Sequence, residues 1–321
     1  VRGPAAALLV LVLSAGVLSG CSSPSSEGGA PTATLPTSPR PTSVVAPTAD
    51  PETARLQALA QLAEQAAARI PRPRPAAPRP AGAVLGADIS WPQCPKGLGI
   101  PERRTLGSPL PLPAAEYVVI GLTNGPGFTT NPCLTDQVAW VRERRLLAAA
   151  YAVVSYPDAA AVAEHGGVGP YDGRNDLGAL ANTGYQQALA NVGAMRAAGL
   201  GSPIIWVDVE PVPDFAWSSD LVANGAVVEG AARAYADAGY RVGIYSTPYL
   251  WSETVGDLAL GLPEWRAAGQ TSRTEALARC GSDWVIQGGR AILGQWVEQG
   301  RDQNVTCPGV EAHLGRWFFQ Y

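Results

Sequence analysis

The chain has 321 residues, a net charge of −4 and only 16% charged residues, and its basic side chains are almost all arginine, with Lys96 the single lysine. No basic patch interleaved with aromatics occurs, so nucleic-acid binding finds no support. Neither a dinucleotide fingerprint nor a P-loop is present, and nothing in the sequence calls for a cofactor.

The chain begins with Val1 and Arg2 and then an Ala/Leu/Val-rich run of about a dozen residues, too short to span a bilayer. That run closes on Leu18-Ser19-Gly20-Cys21, which resembles the lipobox of bacterial lipoproteins. The resemblance implies a signal peptide over residues 1–20 and lipidation of Cys21. It predicts an exported protein, lipid-anchored to the outer face of the cytoplasmic membrane and facing the cell wall. The Ala/Gly/Pro/Arg bias is similar to that of actinobacterial proteins and carries no functional information.

Residues 21–83 read as a linker rich in Pro, Ser, Thr and Ala, unable to bury enough surface to fold. One short helix interrupts it at about 51–70, where Asp50 suits the N-cap and Pro51 the first helical position. The Pro-Arg repeats after Ile70 favour polyproline II, so the whole segment reads as a stalk.

With Cys21 set aside, Cys94, Cys133, Cys280 and Cys307 remain, an even number that fits an oxidising compartment. Four cysteines allow three pairings, and the sequence-local one, Cys94–Cys133 with Cys280–Cys307, is favoured. Each bridge would contribute about 3 to 4 kcal/mol on the loop-entropy argument. Zinc is disfavoured, because no CxxC occurs and the histidines, His165 and His313, lie far apart. A turn at Asp172, Asn175 and Asp176 offers a weaker calcium reading, against which a solvated turn is preferred. The metal expectation is therefore none.

From Val84 to Pro308 strands alternate with helices over about 225 residues, a fair length for one (β/α) barrel. Strands are predicted over 84–90, 117–123, 147–155, 204–210, 241–247 and 265–268, with pieces near 284–287 and 293–297. Helices are predicted over 136–145, 185–198, 223–238 and 274–280, with Gly199 and Gly239 just past two of them. The back half is short for its elements, which predicts an irregular barrel lacking some helices. Residues 309–321 form an aromatic C-terminal tail that could pack as a final strand.

The run Ile204-Ile205-Trp206-Val207-Asp208-Val209-Glu210 carries the chemistry. Side chains alternate along a strand, so Ile205, Val207 and Val209 form an apolar face for helices. Ile204, Trp206, Asp208 and Glu210 share the other, which turns acidic only at its C-terminal end, where ligands bind in parallel α/β folds. Trp206 lies deeper and is read as core. In the first strand Asp88 likewise points opposite to Leu85, Ala87 and Ile89, and Asp302 follows the last predicted strand. Carboxylates two residues apart on a strand lie about 6 to 7 Å apart, worth roughly 2 to 3 kcal/mol at an effective dielectric near 20. That repulsion is enough to lift one carboxyl toward about pH 6, and glutamate starts higher, so the proton is expected on Glu210.

The order Gly86-Ala87-Asp88-Ile89-Ser90, Val207-Asp208-Val209-Glu210, Gly243-Ile244-Tyr245-Ser246, then Gln295-Trp296 and Asp302, resembles the family 25 glycoside hydrolases. These are N-acetylmuramidase lysozymes on an irregular TIM-type (β/α) barrel. Asp88-Ile89-Ser90-Trp91-Pro92-Gln93-Cys94 with Phe128-Thr129-Thr130-Asn131-Pro132-Cys133 is similar to a group of actinobacterial exported relatives. The resemblance spans residues 84–307 and implies Glu210 as general acid, Asp208 as the carboxylate orienting the substrate's N-acetyl group, and Asp88 and Asp302 as flanking acids. Trp91, Tyr245, Trp251 and Trp265 sit near strand ends, where they could stack on sugar rings or serve as packing.

The chain departs from the lysozyme pattern after the second strand, where a Lys-Ala-(Ser/Thr)-Glu-Gly-like segment is replaced by Leu122-Thr123-Asn124-Gly125-Pro126-Gly127. The loop from His165 to Asp176 also differs. Two readings follow. One is a membrane-anchored glycoside hydrolase cutting β-1,4 bonds in peptidoglycan or a related N-acetylated cell-wall glycan. The other is a catalytically inactive glycan-binding lipoprotein on the same fold.

Overall fold

The computed structural model describes residues 82–211 and 214–321. The signal peptide, Cys21, the helix expected at 51–70 and all but the end of the linker lie outside the described residues.

Eight strands close into a barrel: β1 Leu85–Ile89, β2 Tyr117–Gly121, β3 Leu147–Val153, β4 Ile204–Asp208, β5 Arg241–Ser246, β6 Glu264–Gln270, β7 Ala291–Glu298 and β8 Arg301–Thr306. Neighbours from β1 to β7 pair in parallel. The eighth runs antiparallel to both β7 and β1 and closes the ring.

Helices α1 Leu134–Glu143, α2 Ala159–His165, α3 Asp176–Ala197, α4 Leu221–Asp237, α5 Pro248–Val255 and α6 Arg273–Ala278 follow β2 to β6. Ile205, Val207 and Val209 join Val192 of α3 and Val227 of α4 in the core between barrel and helices. Inside the barrel lies a second core of Tyr117, Leu147, Ile204, Trp206, Trp265 and Leu293. The two faces assigned to β4 are therefore the barrel's exterior and interior, and Trp206 is wholly buried inside.

The barrel is irregular at the back, as expected, and also at the front. Between β1 and β2 there are two 3-10 turns, Trp91–Gln93 and Pro101–Arg103, in place of a helix. At the back, β7 and β8 form a hairpin whose turn residues, Gln299 and Gly300, have φ of 54° and 67°. Such two-residue turns match strand twist, and glycine adopts positive φ freely. Asp302 therefore lies on a strand rather than after the last one. Helix α5 was missed although Thr247 caps it, accepting a hydrogen bond from the Leu250 amide, with Pro248 next in line. The strand piece near 284–287 is absent, because the Ile286 and Gln287 amides donate to the Glu264 carboxylate instead of a ladder.

The tail at 309–321 is part of the fold. Strand β9, Phe319–Gln320, pairs antiparallel with Leu147 and Ala148 of β3. Phe318 packs on Tyr117 with centroids 4.3 Å apart, and Trp317 stacks near Trp206, plugging the barrel interior. Disulfides join Cys94 to Cys133 and Cys280 to Cys307, each with Cα atoms 5.6 Å apart, in the sequence-local pairing.

Candidate active site

The parallel strands deliver their acids to one end of the barrel. Asp88 lies near the C-terminal end of β1 and Asp208 ends β4. Glu210 follows two residues later, and the ladder continues around it. The Val209 amide donates to the Tyr245 carbonyl (3.1 Å), the Ser246 hydroxyl to the Val209 carbonyl (2.6 Å), and the Trp217 indole to the Glu210 carbonyl (3.0 Å). Asp302 enters from β8, where Asp302, Asn304 and Thr306 share a face by alternation. The four acids interact electrostatically: Asp88 with Asp302 and Glu210, Asp208 with Glu210 and Asp88, and Glu210 with Asp302.

Asp88 is fixed on both sides. Its Oδ1 accepts hydrogen bonds from Asn304 Nδ2 (2.6 Å) and Gln295 Nε2 (3.2 Å). Ring donors orient those amides: the Trp265 indole donates to Asn304 Oδ1 (2.7 Å) and the Tyr245 hydroxyl to Gln295 Oε1 (2.8 Å). Each amide thus has its oxygen occupied and turns its N–H to the acid. Asp208 is different. It is only 2% exposed, and its buried Oδ1 has no hydrogen-bond partner among the described residues.

Burial is the largest cause of the raised pKa in all four carboxyls. Asp88 is pushed up further by Asp302 and drawn back by Asn304 and Gln295. Burial, then Glu210 and Asp88, push Asp208 well above the usual carboxylate range. Glu210 is raised by burial, opposed by the Arg103 cation, and raised again by Asp302. The sequence expectation names repulsion as the cause of a raised Glu210; in the structure burial comes first for both acids, with the repulsion from Glu210 second for Asp208. Desolvation outweighs the repulsion between the two, and Asp208 has the less exposed carboxyl, with no partner for Oδ1 among the described residues.

Of the aromatic candidates, Tyr245 belongs to the site through Gln295. Trp91 lies in the turn after β1 with the Arg103 guanidinium 5.5 Å from its ring centroid. Trp265 is 1% exposed, buried in the barrel interior against Tyr245 and Trp206, so it is floor rather than a stacking platform. Trp251 sits on α5 in the helix layer, its indole donating to the Leu258 carbonyl, and takes no part in the site. In the 172–176 turn Asp172 pairs with Arg174 (2.9 Å) and Asn175 caps α3. A groove of about 520 Å³ lined by Tyr171, Leu177, Leu221, Val222 and Leu258 holds none of the four acids.

Sequence reasoning missed Gln295 and Asn304 as site residues, and Arg103 altogether. Alternation along β8 would have found Asn304 once the Gln299-Gly300 turn was read as a hairpin. Nothing local marks Arg103.

Residues 177–275, from α3 to α6 and including the Asp208–Glu210 pair, match the family model for Lysozyme-like protein 1. Over these residues the chain is similar to lysozyme-like proteins. Two curated relatives agree over shorter stretches. Lysozyme-like protein 5 of Caenorhabditis elegans is 37% identical over 73 residues, 22% of this chain and 31% of that protein. Counting factor 45-1 of Dictyostelium discoideum is 38% identical over 77 residues, 24% of this chain and 25% of that protein. The matched chain thus spans about a quarter to a third of the length of these relatives. Among solved structures, the muramidase from Acremonium alcalophilum aligns at TM-score 0.46 and 16% identity over 73% of this chain and 99% of its own. The family GH25 lysozyme from Aspergillus fumigatus aligns at 0.43 and 16%, over 70% and 94%. The lysozyme-like match covers β4 to β6, whereas Asp88 and Asp302 are joined to it by the barrel's own closure.

Proposed function

We propose that the lysozyme-like domain is a glycoside hydrolase that cuts β-1,4 bonds in peptidoglycan or a related N-acetylated cell-wall glycan. One observation carries this reading: a half-buried glutamate with a raised pKa beside a deeper aspartate whose buried Oδ1 has no partner. The two titrate as a pair, so a ligand that changes one moves the proton of the other. A substrate N-acetyl group brings an amide N–H. Donated to the Asp208 carboxylate, it stabilises the charged form and lowers its proton affinity. The proton is then favoured on Glu210, the member of the pair that is not fully buried.

Glu210 gives this proton to the leaving glycosidic oxygen as the bond to the anomeric carbon breaks. The N-acetyl carbonyl oxygen, oriented through its N–H on Asp208, closes on that carbon from the other side. Water then opens the cyclic intermediate and returns a proton to Glu210. No protein nucleophile is needed, so the usual carboxylate separation of retaining enzymes does not apply. Asp88, held by Gln295 and Asn304, and Asp302 keep the mouth acidic and raise their neighbours' proton affinity.

The proposal includes export and lipid anchoring at Cys21, with residues 21–83 as the stalk to the cell wall. The disulfides suit that compartment. The test is digestion of purified peptidoglycan, with mass spectrometry of new reducing ends and Glu210→Gln as control. New ends that vanish in a folded variant support Glu210 as the acid. Undiminished cleavage by Glu210→Gln removes it, and saturable binding without cleavage by the wild type favours the glycan-binding reading.

A further inference from the structure

Arg103 is the last residue of the second 3-10 turn between β1 and β2, and its charge acts on Glu210. Its guanidinium carbon lies 5.5 Å from the Trp91 ring centroid and 5.4 Å from that of Phe215. Its carbonyl accepts a hydrogen bond from Asn124 Nδ2 (3.1 Å), and Asn124 Oδ1 accepts one from the Ile100 amide (3.2 Å). Asn124 is wholly buried and belongs to the loop in which this chain departs from the lysozyme pattern. The Cys94–Cys133 bridge ties the Trp91 turn to the start of α1.

This cation rests on two aromatic rings and has no ion-pair partner among the described residues. Its Nε is buried and has no hydrogen-bond partner, and none of the described carboxylates comes within ion-pair distance of it. A buried donor left unpaired is costly and calls for a partner. A planar guanidinium held against aromatic rings keeps its fork oriented for a carboxylate. Glu210 lies near enough to feel the charge, so a ligand there would sit beside the acid.

We propose that Arg103 is a specificity-determining residue that binds a carboxylate carried by the glycan strand next to the bond to be cut. This rests on the glycan-hydrolase reading and narrows it to an acidic N-acetylated glycan over a neutral, chitin-like one. Engaging Arg103 also removes its pull on the Glu210 proton, so recognition of the anionic group and readiness of the acid are coupled.

The experiment compares one soluble glycan fragment bearing free carboxylates with the same fragment converted to methylamides, using the full chain. The wild type is expected to favour the acidic form by about 10- to 100-fold in kcat/KM, mostly through KM. Arg103→Gln should collapse that ratio toward one, and Arg103→Lys should restore part of it. No preference in the wild type overturns the proposal without need of any variant. So does an Arg103→Gln enzyme that keeps the preference, or one that only shifts the pH profile for both fragments alike. Binding of the two fragments to Glu210→Gln separates this from the wider reading. An Arg103-dependent preference in binding without wild-type cleavage sinks the hydrolase and keeps the carboxylate site. Cleavage without preference does the reverse.

Discussion

Two buried acids of the barrel, Glu264 and Asp208, show opposite ways of being buried. Glu264 opens β6, and both its oxygens are saturated. Arg266 pairs with it at 2.6 Å, and the amides of Ile286, Gln287 and Gly289 and the Gln287 side chain all donate to it. Arg266 goes on to the carbonyls of Arg279, Gly281 and Gly289, so the pair clamps the segment leading into β7. Asp208 closes β4 at the other end of the strands, equally shielded, with Oδ1 unpartnered. Burial alone therefore does not mark a site. A satisfied buried charge holds structure together, whereas an unsatisfied one is held ready for a ligand.

The comparison is broken most severely by Arg266→Met, which leaves Glu264 buried without its cation. The expected loss is about 3 to 5 kcal/mol of stability in denaturant unfolding. A loss below about 1 kcal/mol would show that the backbone amides alone satisfy Glu264 and that the clamp is not an ion pair.

Asp208→Asn should act in the opposite direction. The pKa of Asp208 is raised in the folded state, so its contribution is fully present below about pH 4, its unfolded value. It is lost as pH rises through the folded value, because ionising the buried group favours unfolding. The asparagine variant lacks that slope and should be more stable at neutral pH by about 1 to 2 kcal/mol, with cleavage lost. Thermal unfolding across pH 4 to 8 checks it. Equal slopes for both proteins would mean that Asp208 is not the strained group described here.

The smallest effect is expected from Tyr245→Phe, which removes the donor that orients Gln295. Stability should fall by about 0.5 to 1 kcal/mol. Catalysis should suffer more than stability, since the amide that holds Asp88 can then turn over. Unchanged turnover would place Tyr245 outside the machinery.

Much of this was legible from local pattern. Alternation assigned Ile205, Val207 and Val209 to the helix side and Asp208 to the interior because a strand's period is fixed by its backbone. Gly199 and Gly239 ended their helices as expected, with φ of 69° and 90°. Trp265 and Trp251 were misplaced for a reason equally physical. Being near a strand end says nothing about which layer closes over a ring. The barrel interior took Trp265 and the helix layer took Trp251. The aromatic tail could be read as a final strand, but its partners, Tyr117, Trp206 and Leu147, lie far away in the chain and were not legible.

The sequence by itself determined the strand faces, the acids at the strands' C-terminal ends, the order Asp88, Asp208, Glu210 and Asp302, and the cysteine spacing, all properties of short segments. Only the tertiary structure decided that Asn304, 216 residues from Asp88, holds that acid, that the charge of Arg103 acts on Glu210, and that Asp208 is the least exposed of the four acids. Those facts come from closing the ring through the antiparallel β1–β8 pairing. Closure sets depth and neighbours, and depth rather than residue type dominates the proton affinities of the site.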